Sequence, residues 1–261
     1  MSFFLLIGFF LYAIIAYYIC KHVWQRKRSK KILVFWIAAF VLIATWDNII
    51  GEVTYFYLCK TQGGVKIYKT VDSVEGYFDA SNKYGFVDAI TGEDLLKRTY
   101  EFIEIEVTSP SSDLKETYRP LPEGRYRFTV EKAGSEKCDY FYRDIKSRPG
   151  SDFKKYPKEY CLGVEKVDKF KSRYAYYYLE KTDSHYHYPF VHIRKLESRA
   201  WDMSTGEILG TATSFLYYGG WMLAEHLDGG TRKKCPFNDV IESAAMHQNL
   251  LYQTLIPVKA R

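Results

Sequence analysis

The chain has 261 residues, with 37 Lys and Arg against 31 Asp and Glu, for a formal net charge of +6. Residues 1–45 hold six of the basic residues and no acidic one, so the rest of the chain carries 31 of each sign and is neutral. That balance gives no footing for nucleic-acid binding, which needs an uncompensated positive surface, and the length leaves one domain with a real core beyond the N-terminal segment.

Ser2 to Cys20 contains no charged residue and shows no polar face. About 20 apolar residues at ~1.5 Å rise cross a ~30 Å hydrocarbon core, so a membrane-spanning helix is expected over about residues 3–20. A second apolar run, Ile32 to Thr45, is short, but Trp46 and the Ile49-Ile50 pair extend it to a helix over about 32–50. Asp47 and Asn48 then fall at the interface beside Trp46 as an aromatic anchor. The competing reading makes this second run a buried or re-entrant helix.

Between the runs lies a basic loop, 21–31, with Lys21, Arg26, Lys27, Arg28, Lys30 and Lys31. The positive-inside rule places it in the cytoplasm, and therefore the N-terminus and everything after Ile50 outside. A signal peptide fits poorly, because no positive charge precedes the apolar run and no small-x-small cleavage site follows it. Cys20 follows Tyr-Tyr-Ile, too bulky for a lipoprotein cleavage site. A free, buried or palmitoylated thiol is expected there.

Residues 51–261 form the outer domain. Asp47 to Lys60 reads as a helix continuing out of the bilayer, with Ile50, Val53, Tyr57 and Leu58 at helical spacing and Gln62-Gly63-Gly64 as its stop. Val65 to Val71 reads as a short strand. Trp46-Asp47-Asn48-Ile49-Ile50-Gly51, Tyr55-Phe56-Tyr57-Leu58-Cys59 and Gly63-Gly64-Val65-Lys66-Ile67-Tyr68-Lys69-Thr70-Val71 together resemble a juxtamembrane segment of small uncharacterised two-span inner-membrane proteins of Gram-negative bacteria. The resemblance covers residues 46–71 and implies a bacterial inner-membrane address, with no activity attached.

Tyr100 to Val107 alternates, with Ile103, Ile105 and Val107 inward and Glu104 and Glu106 on a face expected to meet solvent. Ser109 to Gly124 reads as a loop. Arg125 to Glu131 is a second alternating strand, and Cys138 to Arg143 is a candidate third. Lys146 to Lys158 reads as a mobile loop. Leu162 to Val167 and Arg173 to Lys181 read as strands, and Phe190 to Asp202 with Ile208 to Phe215 as a hairpin turning at 203–207. Asn238 or Asp239 caps a final helix to about Leu255, with Ile241, Ala244, Ala245, Gln248, Leu251 and Leu255 as its stripe. The fold class is thus α+β: a two-helix transmembrane hairpin, then a mainly antiparallel sheet of five to eight strands with flanking helices.

Four of the five cysteines, Cys59, Cys138, Cys161 and Cys235, lie outside. An even count in an oxidising compartment points to two disulfides. Three pairings are open; a local Cys138–Cys161 staple with a long-range Cys59–Cys235 bond is the preferred one. No CxxC pair suggests zinc. No Asn-x-Ser/Thr sequon occurs, which favours a bacterial periplasm over a eukaryotic cell surface. The 21 tyrosines beyond the hairpin fit strand packing, with a glycan- or partner-binding aromatic surface as the sharper alternative.

His185-Tyr186-His187 is the one local metal pattern, since positions i and i+2 of a strand share a face. His192, Asp183 and Asp202 are further ligand candidates, although Pro189 interrupts the strand and solvent-facing histidines are the commoner outcome. Cys235-Pro236 is weighed as a reactive thiol near a helix start and rated below a disulfide role. No nucleophile motif, zincin motif or phosphate loop is present. No catalytic residue and no cofactor is therefore assigned. The expectation is a membrane-anchored periplasmic binding or assembly protein with the lipid bilayer and a membrane or periplasmic protein as partners. The alternative is a tethered hydrolase acting on envelope material.

Overall fold

The computed structural model describes residues 3–27, 29–83, 95, 100–108, 121–141, 158–178, 185–188, 191–220, 233–236 and 240–258. The expected mobile loop at 146–158 except Lys158, most of the 109–124 loop, Asp183 and the cap at Asn238 or Asp239 lie outside the described residues. The fold is α+β, as expected, built on a mixed sheet that is mostly antiparallel. The chain forms two compact units. One holds Met1–Gly64, Lys181–Leu196 and Thr213–Ser243; the other holds Val65–Glu180, Glu197–Ala212 and Ala244–Arg261.

The first unit begins with α1 (Phe3–Lys27) and α2 (Lys30–Gln62). The basic stretch expected as a loop is helical up to Lys27 and again from Lys30. Cations in the last turn of α1 sit at its negative dipole end, which lets the helix run on. In α2 the second apolar run and the juxtamembrane helix are one element of 33 residues, as the reading of Asp47 to Lys60 as a continuing helix expects. It ends where Gly63 N–H bonds back to Leu58 and Cys59 carbonyls. Strands β8 (His185–Tyr188), Val191–Leu196 of β9 (Val191–Asp202), Thr213–Gly220 of β10 (Ile208–Gly220) and β11 (Lys233–Cys235) complete this unit.

The second unit holds Glu197–Asp202 of β9 and Ile208–Ala212 of β10, strands of a sheet whose order is β1-β10-β9-β7-β3-β4-β5-β6. Its further strands are β1 (Gly64–Ile67), β3 (Gly76–Asp79), β4 (Phe102–Val107), β5 (Gly124–Lys132), β6 (Tyr160–Lys166) and β7 (Tyr174–Tyr178). β3 runs parallel to both β4 and β7, while β4–β5, β5–β6 and β7–β9 are antiparallel. β2 (Val71–Val74) pairs in parallel with β12 (Leu255–Pro257). The segment expected as one strand, Val65 to Val71, is therefore two strands in two sheets. Cys138 does not open a strand: Glu136–Cys138 is a 3-10 turn whose N-cap, Ser135, accepts from Lys137 N–H. The 203–207 turn is as expected, with Gly206 at φ 73°, a left-handed value that favours glycine.

Ile103, Ile105 and Phe128 from the sheet pack with Leu250 and Leu251 of α3 (Val240–Thr254) in one core cluster. The buried side of α3 is Met246, His247, Leu250, Leu251 and Thr254, whereas Ala245 of the expected stripe is exposed. Tyr77, Tyr100 and Tyr176 serve this core. Tyr77 packs edge-on against Tyr100 (5.0 Å), and the Tyr100 and Tyr176 hydroxyls donate to the Leu255 and His247 carbonyls, each at 2.7 Å.

Candidate functional site: the open and buried faces of α2

α1 and α2 meet through Tyr12 and Phe40, whose rings lie edge to face at 5.9 Å while the Tyr12 hydroxyl donates to the Phe40 carbonyl. Around that seam the apolar side chains remain open, including Ile14, Ile15, Val34, Phe35, Val41 and Leu42, each about half exposed or more. A contiguous apolar surface of this kind marks a membrane or protein contact. Among the described residues no single helix is long and apolar enough to cross a membrane. Lys30–Ile43 and Thr45–Gln62, which meet at a bend of 54°, reach that length and apolar composition only when taken together, as a broken span or a re-entrant loop would. Lys21, Arg26, Lys30 and Lys31 are exposed at the closed end of the hairpin; Arg28 and the Lys27 side chain lie outside the described residues.

Two side chains enter the helix ladder where α2 bends. Thr45 Oγ1 donates to the Val41 carbonyl one turn back (2.8 Å), a contact that tilts helices. Asn48 N–H donates to Asp47 Oδ1 (2.8 Å). Beyond the bend the buried residues are Asp47, Gly51, Tyr55 and Leu58. They correct the expected stripe of Ile50, Val53, Tyr57 and Leu58, of which only Leu58 is covered. Tyr55 stacks on Tyr217 (5.6 Å), and Tyr217 lies so close over Gly51 that a Cβ there would sit 2.6 Å from its hydroxyl oxygen. Phe215, Ile193 and the Cys59–Cys235 disulfide close this cluster.

Asp47, expected at the water interface, is 0% exposed, and its Oδ2 meets no donor among the described residues. Sequence reasoning missed this because Trp46 beside it reads as an interfacial anchor. The helical phase sets Asp47 on one side with Gly51, Tyr55 and Leu58, but the opposite side is the more apolar one, so spacing gives no signal that this side is covered.

Both preferred disulfides are present: Cys59–Cys235 and Cys138–Cys161, with Cα separations of 5.9 and 5.8 Å. Cys235 is therefore not a reactive thiol. Cys20 is free and half-buried. His185 and His187 lie on β8, whose register sets His187 opposite His192; their side chains lie outside the described residues. Among the described residues no group of three or more His, Cys, Asp or Glu could hold a metal. Asp202 is instead tied to Arg173 (2.8 Å) and Ser204, which hold its carboxyl well below the usual carboxylate range.

The face of β4 expected to meet water is covered at Glu104. Its carboxylate is 0% exposed and accepts from Arg127 Nη2 (2.7 Å), from Lys171 N–H (3.0 Å) and from Ser172 N–H (2.8 Å). Arg127 also reaches Glu165 (3.1 Å), and Lys137 bonds the same carboxylate (2.7 Å), drawing the Glu165 pKa down. Glu106 behaves as expected, in an open pair with Arg125 (2.9 Å).

Among the described residues one buried nucleophile–imidazole pair is present: Ser198 Oγ lies 2.9 Å from His247 Nδ1. Both residues are closed off, at 0% and 3% exposure, so the pair joins α3 to β9 rather than meeting a substrate. Compared with known proteins, the chain matches no family model, no curated protein and no solved structure.

Proposed function

We propose that this is a membrane-anchored binding or assembly protein of the bacterial cell envelope, held in the inner membrane by the α1–α2 hairpin, with the N-terminus and the α+β part in the periplasm. The observation that carries the reading is the apolar surface of the hairpin, open along both helices and capped at its closed end by exposed Lys21, Arg26, Lys30 and Lys31. Lipid covers such a surface, and the basic end stays in the cytoplasm. Two disulfides in the remainder of the chain fit an oxidising compartment. The resemblance at 46–71 to two-span inner-membrane proteins gives the same address.

The accessory role rests on what the polar residues do. Glu104, Asp202, Ser198 and His247, the groups most suited to chemistry, are engaged with structural partners. The test is purification of the full-length protein from native membranes in mild detergent, followed by mass spectrometry of what accompanies it. A stoichiometric membrane or periplasmic protein is expected. A lone protein overturns the assembly role and turns attention to envelope-material hydrolysis.

A further inference from the structure

We propose that His185, His187 and His192 together form a binding site for a divalent transition-metal ion of the Zn²⁺ and Cu²⁺ class, on one face of the β8–β9 ribbon. Such a site stands whether or not the α1–α2 hairpin is a membrane anchor.

Three of the six histidines of the chain fall within residues 185–192, and backbone register brings them together. β8 pairs antiparallel with the start of β9, setting His187 directly opposite His192 and His185 opposite Arg194. Residues directly opposite one another share a face of a sheet, and so do residues i and i+2 of one strand. His185, His187 and His192 are therefore on one face, and Tyr186, Tyr188, Val191 and Ile193 on the other. Pro189, which interrupts the pattern when it is read along the chain, falls between the two strands. A directly opposed pair has Cα atoms ~4.5–5.5 Å apart, neighbours i and i+2 ~7 Å, and a diagonal pair ~7–8 Å. At metal–nitrogen bonds of ~2.0–2.1 Å, three imidazoles placed so reach one ion. The sequence supplies the pair at 185 and 187; the register supplies the third ligand.

Ile193 distinguishes the two faces. It is 2% exposed and belongs to the cluster of Tyr55, Leu58, Phe215 and Tyr217, so the Ile193 face is the one that joins the core and the histidine face is the one away from it. Arg194, on the histidine face, is half-buried, with its guanidinium over the Tyr218 ring of β10 (5.9 Å), which engages its charge with a π face. No Asp, Glu or Cys stands at the paired positions of the ribbon. A donor set of imidazoles alone suits Zn²⁺ or Cu²⁺ and not the oxygen-seeking Ca²⁺ or Mg²⁺. Neutral imidazole is the form that ligates a metal. Three protein ligands leave a coordination position to water or to a partner's side chain.

The test uses the full-length protein in mild detergent, carrying no polyhistidine tag and freed of metal by chelation. Zn²⁺ is titrated by calorimetry. A stoichiometric amount of Cu²⁺ is read by paramagnetic resonance, whose superhyperfine splitting counts the coordinated nitrogens. The expected result is stoichiometric Zn²⁺ binding at micromolar or tighter affinity. His185→Ala, His187→Ala and His192→Ala each weaken it by an order of magnitude or more, and His22→Ala, a change on exposed α1, leaves it unchanged. The Cu²⁺ spectrum shows three nitrogens in the wild type and two in His192→Ala. The wild-type nitrogen count decides the matter even where a variant fails to fold. Absence of Zn²⁺ binding at micromolar concentrations, or a wild-type Cu²⁺ spectrum of fewer than three nitrogens, overturns the site. Affinity that His192→Ala leaves unchanged overturns the cross-strand ligand set, and a loss in His22→Ala equal to the others overturns the location.

Discussion

Glu104→Gln tests how much of the second unit hangs on one buried carboxylate. The substitution keeps the shape and removes the charge. Glu104 Oε1 takes Nε (2.9 Å) and Nη2 (2.7 Å) of Arg127, while Oε2 takes Ser172 N–H (2.8 Å) and the Ser172 hydroxyl. A glutamine retains one acceptor and turns an NH2 toward groups that are themselves donors. Removing one partner of a buried pair costs about 3–5 kcal/mol, and hydrogen bonds to charged groups are worth about 1.5–3 kcal/mol. Arg127 is 21% exposed and keeps Glu165, which moves the estimate to the low end, about 2–4 kcal/mol. Glu106→Gln, two residues along the same strand, breaks a pair 37% and 45% exposed and costs about 0–1 kcal/mol. Urea unfolding of both full-length variants in one detergent, followed by circular dichroism, gives the comparison. If Glu104→Gln falls within about 0.5 kcal/mol of Glu106→Gln, the buried network is not what holds residues 171–172 to the sheet.

Gly51→Ala sets two effects against each other: a helix-propensity gain of about 1 kcal/mol and an overpacking loss of about 1–3 kcal/mol. The new methyl meets Tyr217, buried and stacked on Tyr55, so a lower thermal midpoint is expected and a higher one refutes the close packing. Asp202 has a folded pKa lowered by Arg173 and Ser204, so the stability it contributes is present above its unfolded value of about 4 and lost as pH falls through the folded one. Acidification below pH ~4 should therefore weaken the wild type more than Asp202→Asn; parallel stability–pH curves would falsify this. Replacing Cys138 and Cys161 together by Ser should cost about 2–5 kcal/mol, read as a shift in the urea midpoint, with an unshifted midpoint as the contrary result. Non-reducing peptide mapping should recover Cys59 with Cys235, Cys138 with Cys161, and Cys20 as a free thiol.

Sequence pattern was most informative where a period and a boundary agreed. The hairpin arms of β9 and β10 are fenced by a Gly-containing turn, and the alternation of β4 and β5 puts Ile103, Ile105 and Phe128 in the core. Pattern misled where a long-range cover overrode it. Glu104 alternates like a solvent-facing residue, and only the return of Lys171 and Ser172, 67 and 68 residues later, buries it. α2 posed a different difficulty: both of its sides are apolar beyond Asp47, so hydrophobic spacing alone could not tell which one the protein would cover. The parallel pairings of β3 were invisible for the same reason that its short run, Gly76–Asp79, carries little period of its own.

The nesting of the disulfides sets an order of events during synthesis. Cys59 emerges first and its partner Cys235 follows 176 residues later, roughly 9–35 s at about 5–20 residues per second. Cys138 and Cys161 pass by in that interval, only 23 residues apart. An oxidase that joins cysteines as they arrive would link Cys59 to Cys138. Early closure of Cys138 with Cys161 takes these two competitors away before Cys235 arrives to complete the unit of Cys59. Where that closure is late, maturation of the chain depends on an isomerase rather than on oxidation alone.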